Sequence, residues 1–192
     1  VSAPERIRIV DVDDYLAAER DAEVRHEFLD GERFAMPDAS RAHNSLCSNL
    51  VVTIGAQLRG SGCRIASSDM KVRAVDRRRY YYPDVVVSCA PVDEEPDEYT
   101  ETRPTLIVEV LSSSTASTDR REKRLAYQQI ESLRELLLIA QDKRSIERYR
   151  RCEDGAWERS LIDGACPDDE RRLRLESLEV VLTLDEVYLG VR

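Results

Sequence analysis

Lysine is scarce in this chain: of 29 basic residues only Lys71, Lys123 and Lys143 are lysine, so arginine serves almost wherever a generic cation will do. No apolar run approaches the roughly 20 residues that a bilayer-spanning helix needs. The opening stretch VSAPERIRIVDVDDYL is broken by charge throughout, with no apolar core ahead of a cleavage site, which argues against a secretory signal. The expectation is a cytoplasmic protein with no membrane partner. C-x-x-C pairs are missing as well. The five cysteines (Cys47, Cys63, Cys89, Cys152, Cys166) are odd in number and widely spaced, with no histidine read at zinc-ligand spacing, so reduced thiols are expected. Cys47 and Cys89, set among apolar residues, read as small hydrophobes of the core. Repeats, linkers, low-complexity segments and any recognisable DNA-reading module are also absent.

Net positive charge is lacking too. A formal charge of -9 argues against a tight, non-specific polyanion binder, whose affinity comes from clustered Lys and Arg, although a local basic face remains compatible with it. Basic residues gather at Asp76-Arg77-Arg78-Arg79 and Arg120-Arg121-Glu122-Lys123-Arg124, and acid gathers from Asp93 to Glu98. Each cluster has a plain reading as a solvated turn or helix face.

What is present is a chain of 192 residues, 42% hydrophobic and 35% charged, which suits one globular domain with a substantial core. Residues 11–20 read as a short amphipathic helix, and RHEFLDGERFAM as two strands about an Asp30-Gly31 turn. From Pro37-Asp38-Ala39-Ser40, apolar side chains at His43, Leu46, Cys47, Leu50, Ile54 and Leu58 mark a helix ending near Gly60. Strands are predicted at 64–74, 84–88 and 105–111, the last two with the β-branched look of two-sided burial, joined by an acidic surface loop over 91–104. A second helix is predicted over 118–131, capped by Thr118 or Asp119, then a strand over 136–140. A hairpin of 146–150 with 157–162, a strand near 178–182 and a short helix over 184–189 complete the chain. The order implies a mixed α/β layer fold, its core about 38–141 with a C-terminal β extension about 145–190.

Two strands carry a carboxylate among aliphatic residues: Asp84 in PDVVV and Glu109 in LIVEVL. A buried ionised carboxylate costs several kcal/mol, roughly, unless a cation or good donors replace the lost water. If the strands are neighbours, the two acids converge, and with a backbone carbonyl they make a hard-oxygen site suited to Mg²⁺ or Mn²⁺. The alternative is that Glu109 pairs with an arginine or caps a loop and that Asp84 is an ordinary turn residue after proline. On the next helix Asp119, Lys123 and Tyr127 share a face at i,i+4 spacing. Lys123 there can orient a water and stabilise phosphate charge, or be an exposed helix charge with Asp119 as cap.

PDVVV, EVLSSST and D-x-x-x-K-x-x-x-Y, preceded by RHEFLDGE and a helix starting P-x-x-x-x-x-H, resemble the Uma2 family of restriction-endonuclease-like proteins, also called DUF820. The order of motifs covers about residues 11–190. The resemblance implies a PD-(D/E)XK nuclease fold: a mixed central β-sheet flanked by helices, here with an additional C-terminal hairpin. It implies Mg²⁺-dependent hydrolysis of DNA, with Asp84, Glu109 and the Val110 carbonyl as metal ligands and the first two also catalytic. The standard motif has lysine two residues after the second acid, where this chain has Leu111, so Lys123 is the candidate replacement. Glu27 matches a family glutamate and is a candidate third carboxylate. His43 is a candidate for contact with the site or substrate, and equally a core or helix-start histidine. Many nucleases of this fold pair two active sites, which makes a homodimer through the 145–162 hairpin an expectation. The rival reading is a nuclease-fold protein with little or no cleavage that acts as a nucleic-acid-binding or regulatory module.

Overall fold

A computed structural model of the chain describes residues 6–8, 11–75, 77–112, 118–167 and 171–191, with backbone alone for 6–8, 94 and 118–120. The elements run β1 (Arg6–Arg8), α1 (Val12–Arg20), β2 (His26–Leu29), β3 (Glu32–Ala35), α2 (Arg41–Gln57), β4 (Arg64–Ser67) and β5 (Lys71–Ala74). They continue with β6 (Arg79–Tyr81), β7 (Val85–Ser88), a 3₁₀ turn (Val92–Glu94), β8 (Thr100–Glu101), β9 (Leu106–Leu111) and α3 (Thr118–Tyr127). The last are β10 (Glu135–Ala140), β11 (Ser145–Arg151), β12 (Trp157–Asp163), β13 (Arg172–Leu175), β14 (Val180–Thr183) and α4 (Leu184–Val187).

The central sheet has the order β12-β11-β10-β9-β7-β4. Only β9 and β10 are parallel in it, as expected for strands joined through a helix, here α3. Both are buried along their whole length because both faces are covered, which is why LIVEVL and ELLLIA read as continuous apolar runs rather than alternating ones. Alternation survives in where the side chains go. Leu106, Val108 and Val110 join the core under α2, with Leu46, Leu50 and Ile54, whereas Ile107 and Leu111 join the core under α3, with Ala126 and Tyr127. Truncating fully buried Leu50 to alanine would cost about 2–5 kcal/mol.

A second six-stranded sheet, β1-β3-β2-β6-β5-β8, lies on the α3 side. Val72, Ala74 and Tyr81 carry it into the same core as Ile107 and Tyr127. Its β2–β3 hairpin turns through Asp30 and Gly31, both at positive φ (50° and 93°), the conformation an Asp-Gly pair adopts readily. Helix α1 packs Tyr15 against Phe28 and Tyr80, with Tyr15 and Phe28 stacked at 4.8 Å. On the α2 side, β13, β14 and α4 add Leu173, Leu182, Val187 and Tyr188 to the core that α2 covers.

Several expectations are corrected. The strand predicted over 64–74 is two strands in different sheets, broken where Ser68 takes a positive φ of 51°. The acidic segment 91–104 is not wholly a surface loop, since β8 is buried and Glu101 accepts a 2.9 Å bond from Arg64. Helix α3 stops at Tyr127, and its predicted cap at Thr118 or Asp119 lies outside the described side chains. The sequence predicts no strand at β1, β6, β8 or β13. Cys63 and Cys89 form a disulfide rather than remaining reduced, and Cys89 is exposed rather than in the core. The antiparallel register of β4 and β7 (Arg64 opposite Ser88) sets the two cysteines face to face one step further on, their Cα atoms 4.1 Å apart. Cys47 is buried, reduced and part of the core.

Candidate active site

The register of β7 and β9 pairs Val85 with Val108, so continuing it by one residue sets Asp84 across from Glu109. The two aliphatic strands therefore deliver their carboxylates to one end of the same ladder. Each is only 8% exposed. Asp84 Oδ2 accepts the Val110 N–H at 2.6 Å, which ties the start of β7 to β9, and Asp84 Oδ1 lies 3.0 Å from His43 Nε2.

His43 is held there by the way α2 begins. Ser40 caps the helix, its hydroxyl accepting the His43 N–H at 3.1 Å, so the imidazole leaves the first turn pointing at β7. One turn later Cys47 places Sγ 3.5 Å from His43 Nδ1. Burial, together with the charges of Asp84 and Glu109, pushes the Cys47 thiol up to about 12. The thiol is therefore held in its protonated form at neutral pH, and the direction of its contact with Nδ1 follows the imidazole tautomer. Hydrogen bonding to Asp84 raises the His43 pKa above its ordinary value, against the opposing effect of burial.

On the other face, α3 brings two side chains down on Glu109. The Tyr127 hydroxyl donates to Glu109 Oε1 at 2.7 Å, and Lys123 Nζ stands 3.8 Å from the same oxygen. Lys123 makes its shorter contact, 2.6 Å, to Glu27 Oε1 on β2, and sits 5.7 Å above the Tyr81 ring. The i,i+4 spacing of Lys123 and Tyr127 thus becomes two donors converging on one carboxylate; Asp119, the third residue of that face, lies outside the described side chains. A small cleft lined by Glu109, Val110, Leu111, Lys123, Arg124 and Tyr127 opens beside them. Leu111 faces the α3 core and carries no charge into the site.

Among the described residues, Glu27 and Glu109 share the Lys123 ammonium. Burial pushes the Glu109 carboxyl up to about 8, with Asp84 and Glu27 adding to the rise and Lys123 and Tyr127 opposing it. Tyr127 itself is driven well above the ordinary tyrosine range by burial and then by Glu109. Carboxylate oxygens gathered in this way fit a divalent cation.

The structure thus brings all the sequence candidates together: Asp84, Glu109 and Val110 along the ladder, Lys123 and Glu27 on one side, His43 on the other. Val110 contributes its N–H to Asp84. The sequence expectation of no histidine at zinc-ligand spacing from a cysteine is corrected here, since Cys47 Sγ lies 3.5 Å from His43 Nδ1. The signal was there in His43-x-x-x-Cys47, one helical turn. Elsewhere, the basic turn at 77–79 is engaged in ion pairs, Arg77 with Asp13 and both Arg78 and Arg79 with Asp30. Among the described residues no helix is long and apolar enough to cross a membrane.

Comparison with known proteins agrees with this architecture. The chain is 34% identical to an uncharacterised protein of Synechocystis sp. over 179 residues, covering 93% of this chain and 91% of the relative. A second uncharacterised Synechocystis protein is 34% identical over 155 residues, 78% of this chain and 85% of that one. Among solved structures, the fold matches a protein of Anabaena variabilis described as a "putative nuclease belonging to DUF820", with a TM-score of 0.73 at 17% identity over 95% of this chain and 97% of that one. The chain therefore shares the mixed α/β fold of that DUF820 protein. Residues 12–185 match the family Uma2, described as "Putative restriction endonuclease", and the chain belongs to that family.

Proposed function

We propose that the protein is a metal-dependent phosphodiesterase that hydrolyses DNA. The observation that carries this reading is the delivery of Lys123 from α3 to within 3.8 Å of Glu109, next to Asp84, although the strand position that would carry a lysine is Leu111. Asp84 and Glu109, with the Val110 carbonyl, are the groups that would hold Mg²⁺ or Mn²⁺. Bound there, the ion would supply positive charge to the phosphate and lower the pKa of a bound water. Hydrolysis forms one P–O bond to the water oxygen and breaks another to the leaving oxygen, and negative charge grows on the phosphoryl oxygens as it proceeds. Lys123 is placed to offset that charge and to orient the water. Glu27 anchors the ammonium, and Tyr127 fixes the Glu109 oxygen by its hydrogen bond. His43 holds Asp84 from the opposite side.

The test is Mg²⁺-dependent cleavage of plasmid DNA by the purified protein, compared with Asp84→Asn, Glu109→Gln and Lys123→Met. Each is expected to lose about 100- to 1,000-fold in rate. Undiminished cleavage in either carboxylate variant overturns the assignment. One observation favours a second reading, a nuclease fold that binds or regulates with little cleavage: Lys123 is closer to Glu27 (2.6 Å) than to Glu109 (3.8 Å). Mn²⁺ binding that depends on Asp84 and Glu109, with no turnover on any DNA substrate, would favour that module. A homodimer and a cytoplasmic setting belong to the proposal as well, and sedimentation of the purified chain addresses the first.

A further inference from the structure

His43, Cys47 and Asp84 make a ligand set of a different chemical kind from the carboxylates. His43 and Cys47 lie one turn apart on α2, so both project from the same helix face. Asp84 meets them from the start of β7. One potential ligand atom from each residue lies within 4.8 Å of the others, with His43 Nε2 at 3.0 Å from Asp84 Oδ1 and His43 Nδ1 at 3.5 Å from Cys47 Sγ. A tetrahedral zinc centre with bonds of about 2.0 Å to nitrogen and oxygen and about 2.3 Å to sulfur holds its ligand atoms roughly 3.3–3.5 Å apart. The two short contacts use opposite ring nitrogens, so to take up an ion the imidazole must turn to present one nitrogen and the set, now within 4.8 Å, must contract toward that spacing.

We propose that His43, Cys47 and Asp84 form a binding site for a borderline transition-metal ion of the Zn²⁺ class, and that its occupancy withdraws Asp84 from the hard-cation site. A thiolate, an imidazole and a single carboxylate suit Zn²⁺ or Co²⁺, whereas Mg²⁺ takes oxygen ligands and has no use for Cys47. Binding forms the metal–sulfur bond as the Cys47 S–H bond gives its proton to solvent; no electron is transferred. Three protein ligands leave a fourth position for water. Cys47 is a free thiol, outside the Cys63–Cys89 disulfide. The consequence for catalysis, antagonism of Mg²⁺ by Zn²⁺, rests on the hydrolase reading above; the binding site itself does not.

The experiment is a Co²⁺ titration of the intact protein, its free thiols kept reduced, followed by the near-ultraviolet sulfur-to-cobalt charge-transfer band and by Zn²⁺ competition. One equivalent should generate the band in the parent protein and in a Cys152→Ser, Cys166→Ser double variant. Cys47→Ser and Cys47→Ala should abolish it, and His43→Gln should weaken Co²⁺ binding about 100-fold. Absence of the band in the parent protein, its persistence in both Cys47 variants, or its loss only when Cys152 and Cys166 are replaced overturns the proposal. Circular dichroism checks that the Cys47 variants are folded. Zn²⁺ should slow Mg²⁺-dependent cleavage by the parent protein and not by Cys47→Ser; equal slowing of both overturns the claim of antagonism. If the parent protein shows no cleavage at all, the hydrolase reading fails while the cobalt spectrum still decides this one.

Discussion

Two glutamates sit buried in neighbouring parallel strands of the central sheet, and they are compensated differently. Glu135 opens β10, 1% exposed, with Arg148 Nε at 2.9 Å and the Ser177 hydroxyl donating to its other oxygen at 2.6 Å. The Arg148 contact is close enough for an ion pair but not aligned as a hydrogen bond, so its strength is chiefly Coulombic. Glu109, in the middle of β9, has a tyrosine hydroxyl at 2.7 Å and an ammonium at 3.8 Å that a third carboxylate, Glu27, holds more closely. Among the described residues, Glu135 faces Arg148 while Glu109 shares Lys123 with Glu27. Burial alone therefore does not mark a functional acid, and it is the shared cation that makes Glu109 the candidate.

The comparison predicts opposite outcomes for two similar substitutions. Glu109→Gln should lower Mg²⁺-dependent cleavage by about 1,000-fold, some 4 kcal/mol in the transition state, with the fold retained in urea denaturation. Glu135→Ala should do the reverse. It strands Arg148, whose side chain is only 14% exposed, and should lower the unfolding free energy by about 3 kcal/mol while leaving the cleavage rate of the folded fraction within about twofold. If Glu135→Ala abolished cleavage without loss of stability, the division between the two acids would be wrong.

A second contrast is in pH. The Glu109 carboxyl is raised to about 8, so between the ordinary glutamate range and pH 8 the native state holds a proton that the unfolded chain has released. Stability from this group is therefore fully present below the ordinary range, falls as pH rises through the window, and has been lost above about 8. The groups facing it are Lys123 and Tyr127 from α3, Glu27 from β2 and Asp84 at the start of β7. Denaturation at pH 5 and pH 8.5 without divalent cation should show a decline of a few kcal/mol that Glu109→Gln flattens. Mn²⁺ should recover part of it at the higher pH, because a bound cation takes the place of the proton.

The pattern of carboxylates was legible in the sequence because aliphatic strands advertise an acid within them, and Asp84 and Glu109 stood out for that reason. So did the elements that hold them, α2 with its start in Pro37-Asp38-Ala39-Ser40 and the strand–helix–strand order of β9, α3 and β10. What the sequence hid follows from register and from short elements. Strand β6 is three residues long and lies among arginines and tyrosines that carry no clear alternation. The break at Ser68 has no glycine or proline to announce it, since a serine takes the positive φ. The Cys63–Cys89 pairing depends on which strand lies beside which, a long-range fact that spacing does not contain. Glu135 lies one residue before the strand predicted over 136–140, and its partners come from β11 and from the turn before β14.

The smallest of the expected effects is the most specific to how Glu109 is held. Tyr127→Phe removes one hydroxyl and leaves the ring, which packs edge-on to Tyr81 with centroids 5.2 Å apart, so the core keeps its shape. The lost donor is one of the two groups that pull the Glu109 pKa down, the other being Lys123. Its removal should therefore move the stability inflection near pH 8 upward and cost about 1–2 kcal/mol at alkaline pH, where the carboxylate is ionised. At pH 5 the carboxyl is protonated and can turn its own O–H to another acceptor or to water, so the cost there should be smaller. Lys123→Met should shift the same inflection upward and further, since a charge is removed rather than a dipole. Equal losses at pH 5 and pH 8.5 for Tyr127→Phe would mean that the hydroxyl supports packing alone, and that Glu109 is no more dependent on its donors than Glu135 is on Arg148.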